Sequence, residues 1–110
     1  MIVKKLLDFL DAKLAAKVGV EAPTDLSDYV LIDQTGSRRQ NHIVTTTLAL
    51  QSYGASLFEA MTLNEAVKTA MEEFEAENDI IKVELDTDYN FTNTATKQHR
   101  WQAVYSITHY

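Results

Sequence analysis

Apolar residues recur with helical spacing at the start of the chain. Ile2, Val3, Leu6, Leu7, Leu10 and Leu14 share one arc at a period of 3.6, and Lys4, Asp8 and Asp11 lie opposite. The pattern predicts an amphipathic helix over residues 2–18, stopped by Gly19, with Pro23 beyond it and a connector over residues 20–27. Residues 28–33 (Asp-Tyr-Val-Leu-Ile-Asp) read as a short strand. Residues 35–41 carry turn chemistry without an apolar side chain. Residues 42–53 form a second strand, with Val44, Thr46, Leu48 and Leu50 on one face and Ile43, Thr45, Thr47 and Ala49 on the other.

Ser56 and Glu59 have capping-box spacing, so a helix begins there and runs to about Ala76 on a stripe of Ala60, Leu63, Val67, Ala70, Met71 and Phe74. A second capping pattern at Thr62 and Glu65 predicts a kink or restart, and Asn78-Asp79 ends the helix. Residues 80–85 form a third strand and residues 86–99 a long polar loop. Residues 100–110 form a fourth strand, with Trp101, Ala103, Tyr105 and Ile107 on one side. The order α-β-β-α-β-β predicts an α+β two-layer sandwich: a largely antiparallel four-stranded sheet with two helices on one face, in a single domain spanning residues 1–110.

Composition narrows the chemistry. The 110 residues include no cysteine, which excludes disulfides, thiol catalysis and cysteine-bound metal. No run approaches the roughly 18 apolar residues of a membrane helix, and Asp8 and Asp11 interrupt a signal-peptide reading. A net charge of −6 opposes phosphate-backbone binding as the main task. The Asp86-x-Asp88-x-Asn90 triplet resembles the start of a calcium loop, but Phe91 takes the place of its glycine and Lys97 that of its bidentate glutamate. His42, His99 and His109 lack metal-site spacing, and Gly19, Gly36 and Gly54 are too scattered for a phosphate loop. No catalytic residue, cofactor or metal ligand is singled out.

The remaining signals concern contact. Arg38-Arg39 is a tight basic pair in the expected hairpin loop. Glu72, Glu73, Glu75, Glu77 and Asp79 cluster at the C-terminal end of the second helix, where the dipole disfavours anions. Such a cluster is either a solvated surface or a partner for cations on another chain, the arginine pair among them. Phe58 and Met61 lie off the core stripe and mark an apolar contact patch. Tyr89 and Phe91 sit in the long polar loop, with the aromatic character of contact surfaces. A 12-residue second strand spans about 40 Å, so it either projects as an arm that assembly must hold or carries a bulge.

These residues bring a family into view. Residues 28–33 followed by Thr35-Gly36-Ser37-Arg38-Arg39-Gln40-Asn41-His42 resemble the strand–turn–strand of tail-completion proteins of long, non-contractile-tailed bacteriophages. Leu48-Ala49-Leu50-Gln51-Ser52-Tyr53, Ser56-Leu57-Phe58-Glu59-Ala60 and Leu63-Asn64-Glu65-Ala66-Val67 are similar to their strand-to-helix passage. Asp88-Tyr89-Asn90-Phe91-Thr92-Asn93 and Arg100-Trp101-Gln102-Ala103-Val104-Tyr105 fit their last hairpin. The resemblance runs from about Tyr29 to Tyr110, and residues 1–27 add only a helix. It implies a tail terminator: a homo-oligomeric ring, typically hexameric, on the last turn of the tail tube. Such a ring stops tube polymerisation and meets the head-completion connector. DNA passes through its lumen without specific binding, and its acidic residues keep that wall non-adhesive. The implied location is the virion neck, reached from the host cytoplasm, with no membrane, cofactor or reaction. Three other readings compete: a head-completion stopper, a small ligand-binding or hydrolytic α+β domain, and a nucleic-acid module that stacks bases on Tyr105 and Trp101.

Overall fold

The computed structural model of the chain describes residues 1–21 and 28–110. Its elements are α1 (Ile2–Lys13), β1 (Lys17–Gly19), β2 (Tyr29–Gln40), β3 (Ile43–Gly54), α2 (Leu57–Phe74), β4 (Ile80–Asn90) and β5 (His99–His109). The fold is α+β, with two helices and a five-stranded sheet in the order β1-β2-β3-β5-β4. The sheet is mixed rather than purely antiparallel, because β1 runs parallel to the start of β2.

Two helical expectations change at their ends. α1 stops at Lys13 instead of residue 18, and Leu14 is already extended. Val18 and Gly19 are poor helix formers, and Val18 packs on the core from β1 instead. Gly19 is therefore not a helix stop. A Cβ there would meet the Tyr29 hydroxyl at 2.0 Å, so glycine lets β2 approach. The connector expected over residues 20–27 lies mostly outside the described residues, Pro23 included. α2 begins as expected, with Ser56 Oγ accepting from the Glu59 backbone N–H at 3.2 Å. It runs through Thr62 without a break, whose hydroxyl donates to the Phe58 carbonyl at 2.9 Å, and ends at Phe74.

Polar composition hid the length of two strands. The expected loop over residues 35–41 is the distal half of β2, and the turn is only Asn41-His42, with φ of 52° and 66°. Positive φ at both positions matches the twist of a tight hairpin. The expected loop over residues 86–99 shortens likewise, since β4 continues to Asn90 past a register shift between Leu85 and Thr87. β3 is not a lone arm. β5 accompanies it from Gly54↔His99 to Val44↔His109, and the irregularity lies in β2, between Gln34 and Gly36.

The apolar stripes fall as the periodicities predict. Leu6 and Leu10 of α1, and Leu63, Val67, Ala70, Met71 and Phe74 of α2, pack on Val30, Ile32, Leu48, Leu50, Ala103, Tyr105 and Ile107. Both helices cover the same face of the sheet. Phe9 meets Phe74 with ring centroids 5.0 Å apart, which joins the helices. Among the described residues, no helix is long and apolar enough to cross a membrane.

The β3–α2 corner is tight. A Cβ on Gly54 would lie 2.6 Å from the Ala60 backbone nitrogen and 2.9 Å from the Glu59 carbonyl carbon. Gly54→Ala should therefore destabilise the protein by about 1–3 kcal/mol. Urea unfolding measures it; a midpoint equal to wild type would mean that the corner relaxes freely.

Candidate functional site

Strand alternation gives the sheet a second face that no helix covers. Near the Gly54 end it carries a transverse row of rings from β2, β3 and the end of β4, joined through Arg100 of β5. Tyr29 and Tyr53 meet edge-on at 6.3 Å. The Arg100 guanidinium lies 5.8 Å from the Tyr53 centroid and 4.5 Å from that of Phe91. Phe91 and Tyr89 are edge-to-face at 6.0 Å. A directional hydrogen-bond chain runs beside the row. Arg100 donates to the Tyr53 hydroxyl (3.2 Å), Tyr53 to Gln51 (3.0 Å), Gln51 to Gln102 (2.9 Å), and Gln102 to the Tyr89 hydroxyl. Each link polarises the next. Gln51 and Gln102 are buried although no described element overlies this face. Further along the same face, Thr45, Thr47, Val104, Ser106 and Thr108 are half-buried.

Tyr89 and Phe91 thus belong to a structured surface and remain 40% and 38% exposed. They stand at the end of β4 and just past it, not in a long loop. Arg100, Gln51, Tyr53 and Gln102 were not legible as site residues, because only the cross-strand register puts them in one row. Trp101 and Tyr105 occupy the other, helix-covered face. Tyr105 is buried there, and burial pushes its phenol up to about 12, whereas Trp101 is half-buried; the pair does not form an open stacking face.

Phe58 and Met61 are exposed as expected, Phe58 to 77%. With Trp101, Asn64 and Asp88 they border a small cleft of about 240 Å³. Asp88 is the polar hub beneath it. Its Oδ2 accepts from Asn64 at 2.9 Å, Lys68 at 3.0 Å and Trp101 Nε1 at 3.3 Å. The Lys68 bond holds the Asp88 carboxyl below its ordinary value against the opposing effect of burial, and Asn64 and Trp101 add to it. Lys68 is raised in turn by its bonds to Glu65 and Asp88. The hub fastens α2 to the β4–β5 pair and is a structural ion pair.

The acidic cluster is not one patch. Glu73 pairs with Lys13 of α1 at 3.0 Å. Glu75 turns the other way and accepts from the Val83 backbone N–H at 2.9 Å. Asp79 takes φ 69° past the helix end, and its carbonyl accepts from Tyr110 N–H at 3.0 Å. Glu72 and Glu77 are exposed. The basic pair also divides, because Arg38 and Arg39 are consecutive on a strand and point to opposite faces. Arg38 is on the open face. Arg39 borders an end groove of about 610 Å³ with Lys5, His42, Asp79 and His109. His109 is spent structurally: Nδ1 donates to the Tyr110 carbonyl at 3.1 Å and Nε2 accepts from the Thr46 hydroxyl at 3.0 Å. Among the described residues, no group of three or more His, Asp or Glu side chains is placed to hold a metal ion.

Asp88→Ala strands the Asn64 amide, Lys68 and Trp101 Nε1, and should cost about 1–3 kcal/mol at pH 7. The Asp88 value is depressed in the folded state, so its contribution is present above the ordinary carboxylate range and lost as pH falls through the folded value. Denaturation at a series of pH values should show the wild-type advantage shrinking below about pH 4. A gap independent of pH would mean that shape, not charge, holds the hub.

The chain matches no protein-family model and shows no significant similarity to a curated protein.

Proposed function

We propose that this chain is a tail terminator of a long, non-contractile-tailed phage, acting by assembly rather than by chemistry. Copies form a ring on the last turn of the tail tube, stop its growth and present a surface to the head connector. One observation carries the reading: among the described residues, a long sheet has one face uncovered, and β4 and most of β2 have no strand on their outer edge. β1 covers β2 only at Tyr29–Leu31, and β4 has β5 on one side alone. Such a sheet offers backbone groups and flat area to neighbours on two sides. The resemblance of residues 29–110 to tail-completion proteins supplies the context. The apolar tip at Phe58 and Met61 suits a contact along the tube axis. The charge of −6 keeps passing DNA from adhering.

The groups with perturbed acidity agree with this reading, because Asp88 and Lys68 are tied to each other and to the framework. Purified tail tubes mixed with the protein should show capped ends by electron microscopy. Size exclusion with light scattering should show a ring, alone or on tubes. Binding to filled heads but not to tubes would replace the terminator with a stopper. Binding to neither would overturn both. Phe58→Ser with Met61→Ser should weaken tube capping at least tenfold and leave folding intact, which is checked by titrating tubes and by circular dichroism.

A further inference from the structure

We propose that a second copy of this chain adds its β4 to the distal edge of β2, which no described strand occupies, with residues 37–40 antiparallel to residues 82–85 and Arg38 facing Glu84. The inference rests on the ring reading and names the contact that builds the ring.

Strand direction permits it. β2 is antiparallel to β3, β3 to β5, and β5 to β4, so β2 and β4 run in opposite senses. A copy generated by rotation about an axis along the strands keeps those senses. Its β4 then arrives antiparallel to the first copy's β2, the better hydrogen-bonded arrangement. The two edges are different surfaces, as a heterologous ring contact requires.

The irregularities define the register. β2 is disturbed between Gln34 and Gly36, and regular from there to Gln40. β4 shifts between Ile80 and Lys82 and again between Leu85 and Thr87, and is regular from Lys82 to Leu85. Beyond the part that β1 covers, β2 thus offers its regular stretch from Gly36 to Gln40, and β4 offers two, Lys82–Leu85 and Thr87–Asn90. In the second, Asp88 is already held by Asn64, Lys68 and Trp101, which leaves the first, with Glu84, for an arginine. The shifts between these stretches discourage pairing along the whole edge at once.

Charge distinguishes the two edges. Residues 34–40 hold Arg38 and Arg39 and no acid, whereas residues 82–88 hold Glu84, Asp86 and Asp88 against Lys82. Arg38 and Glu84 both lie on the open face, opposite Thr45 and Ser106 of their own sheet neighbours. With Arg38 opposite Glu84, Gln40 falls opposite Lys82 and Arg39 opposite Val83. Ser37 meets Leu85, which is 41% exposed in the single chain. The arginine's partner is thus Glu84 of β4, whose own contact with Lys82 is a loose exposed pair at 3.6 Å, while Glu73 and Glu75 at the helix end are held at 3.0 and 2.9 Å and Glu72 and Glu77 belong to no strand.

The absence of cysteine allows a direct test. In one sheet β2 and β4 are separated by two strands, about 14 Å, twice the Cα span a disulfide can bridge. The Gln40→Cys/Lys82→Cys double variant can then cross-link only between copies. Oxidised on tail tubes, it should give a covalent ladder ending at the ring size on a non-reducing gel. Each single variant should give nothing beyond a dimer. Arg38→Glu should lower ring formation on tubes at least tenfold, and Arg38→Glu with Glu84→Arg should restore it. Capped tubes without a ladder, or no rescue by the reversed pair, would overturn this contact and leave the ring reading standing. Wild-type protein that never caps a tube would overturn the ring reading, and the contact with it.

Discussion

The pairing of β3 with β5 is the constraint on which the rest of the structure depends. Eleven consecutive residue pairs run without irregularity from Val44↔His109 to Gly54↔His99. Side chains alternate faces along both strands, so a slip of one residue would send the core set of one strand, Leu48 and Leu50 or Tyr105 and Ile107, to the open face. It would also bring Gln51 or Gln102 under the helices, parted from the other. The correct register gives those amides each other, at 2.9 Å. It also stacks Tyr53, Arg100 and Phe91 in one row. The Gly54 end of the same pairing sets where α2 begins, because its first turn rests on the glycine backbone.

A second constraint is a mismatch of lengths. A 12-residue helix rises about 18 Å, while a 12-residue strand extends about 40 Å. α1 and β2 each have 12 residues. The helix layer therefore covers the proximal part of β2, and residues 33–40 emerge exposed beyond it. The molecule measures 44 Å along its longest axis against 25 and 21 Å across. Sheet that the chain does not cover itself is the material available for assembly. The end groove beside Arg39 and Lys5 marks where the cover runs out.

The same mismatch explains what could be read in the chain. Where a strand lies under a helix, alternation and core coincide, and the faces of β3 and β5 and the stripe of α2 were legible residue by residue. Beyond the cover, both faces of β2 are polar, and Thr-Gly-Ser-Arg-Arg-Gln carries the composition of a loop while forming a ladder with β3. The distal part of β4 reads as loop for the same reason. β1 was hidden by a different competition. Three residues cannot display a period, and only the parallel contact with Tyr29–Leu31 makes them a strand. Of the candidate contact residues, Phe58 and Met61 were visible because an exposed apolar side chain on a helix breaks its stripe. The division of Arg38 from Arg39, and the scattering of the five acids, needed the geometry. Proximity in sequence says little about direction on a strand or just past a helix end.

The short regular windows on β2 and β4 bear on how a ring would be controlled. Cross-strand pairs contribute about 0.2–1 kcal/mol each, and one exposed ion pair adds about 0–1 kcal/mol. Four pairs and the ion pair thus contribute about 1–5 kcal/mol, which at best matches the low end of the translational and rotational cost of association, about 4–15 kcal/mol. Two free copies joined by such a contact would separate readily, which also protects the sheet edges from open-ended polymerisation. Copies seated side by side on a tube end have lost that freedom to the tube already, and every contact becomes intramolecular. Closure adds one further contact with no additional copy to immobilise. Weak edges are therefore consistent with a protein that completes its ring where the tube supplies the template and stays dispersed elsewhere.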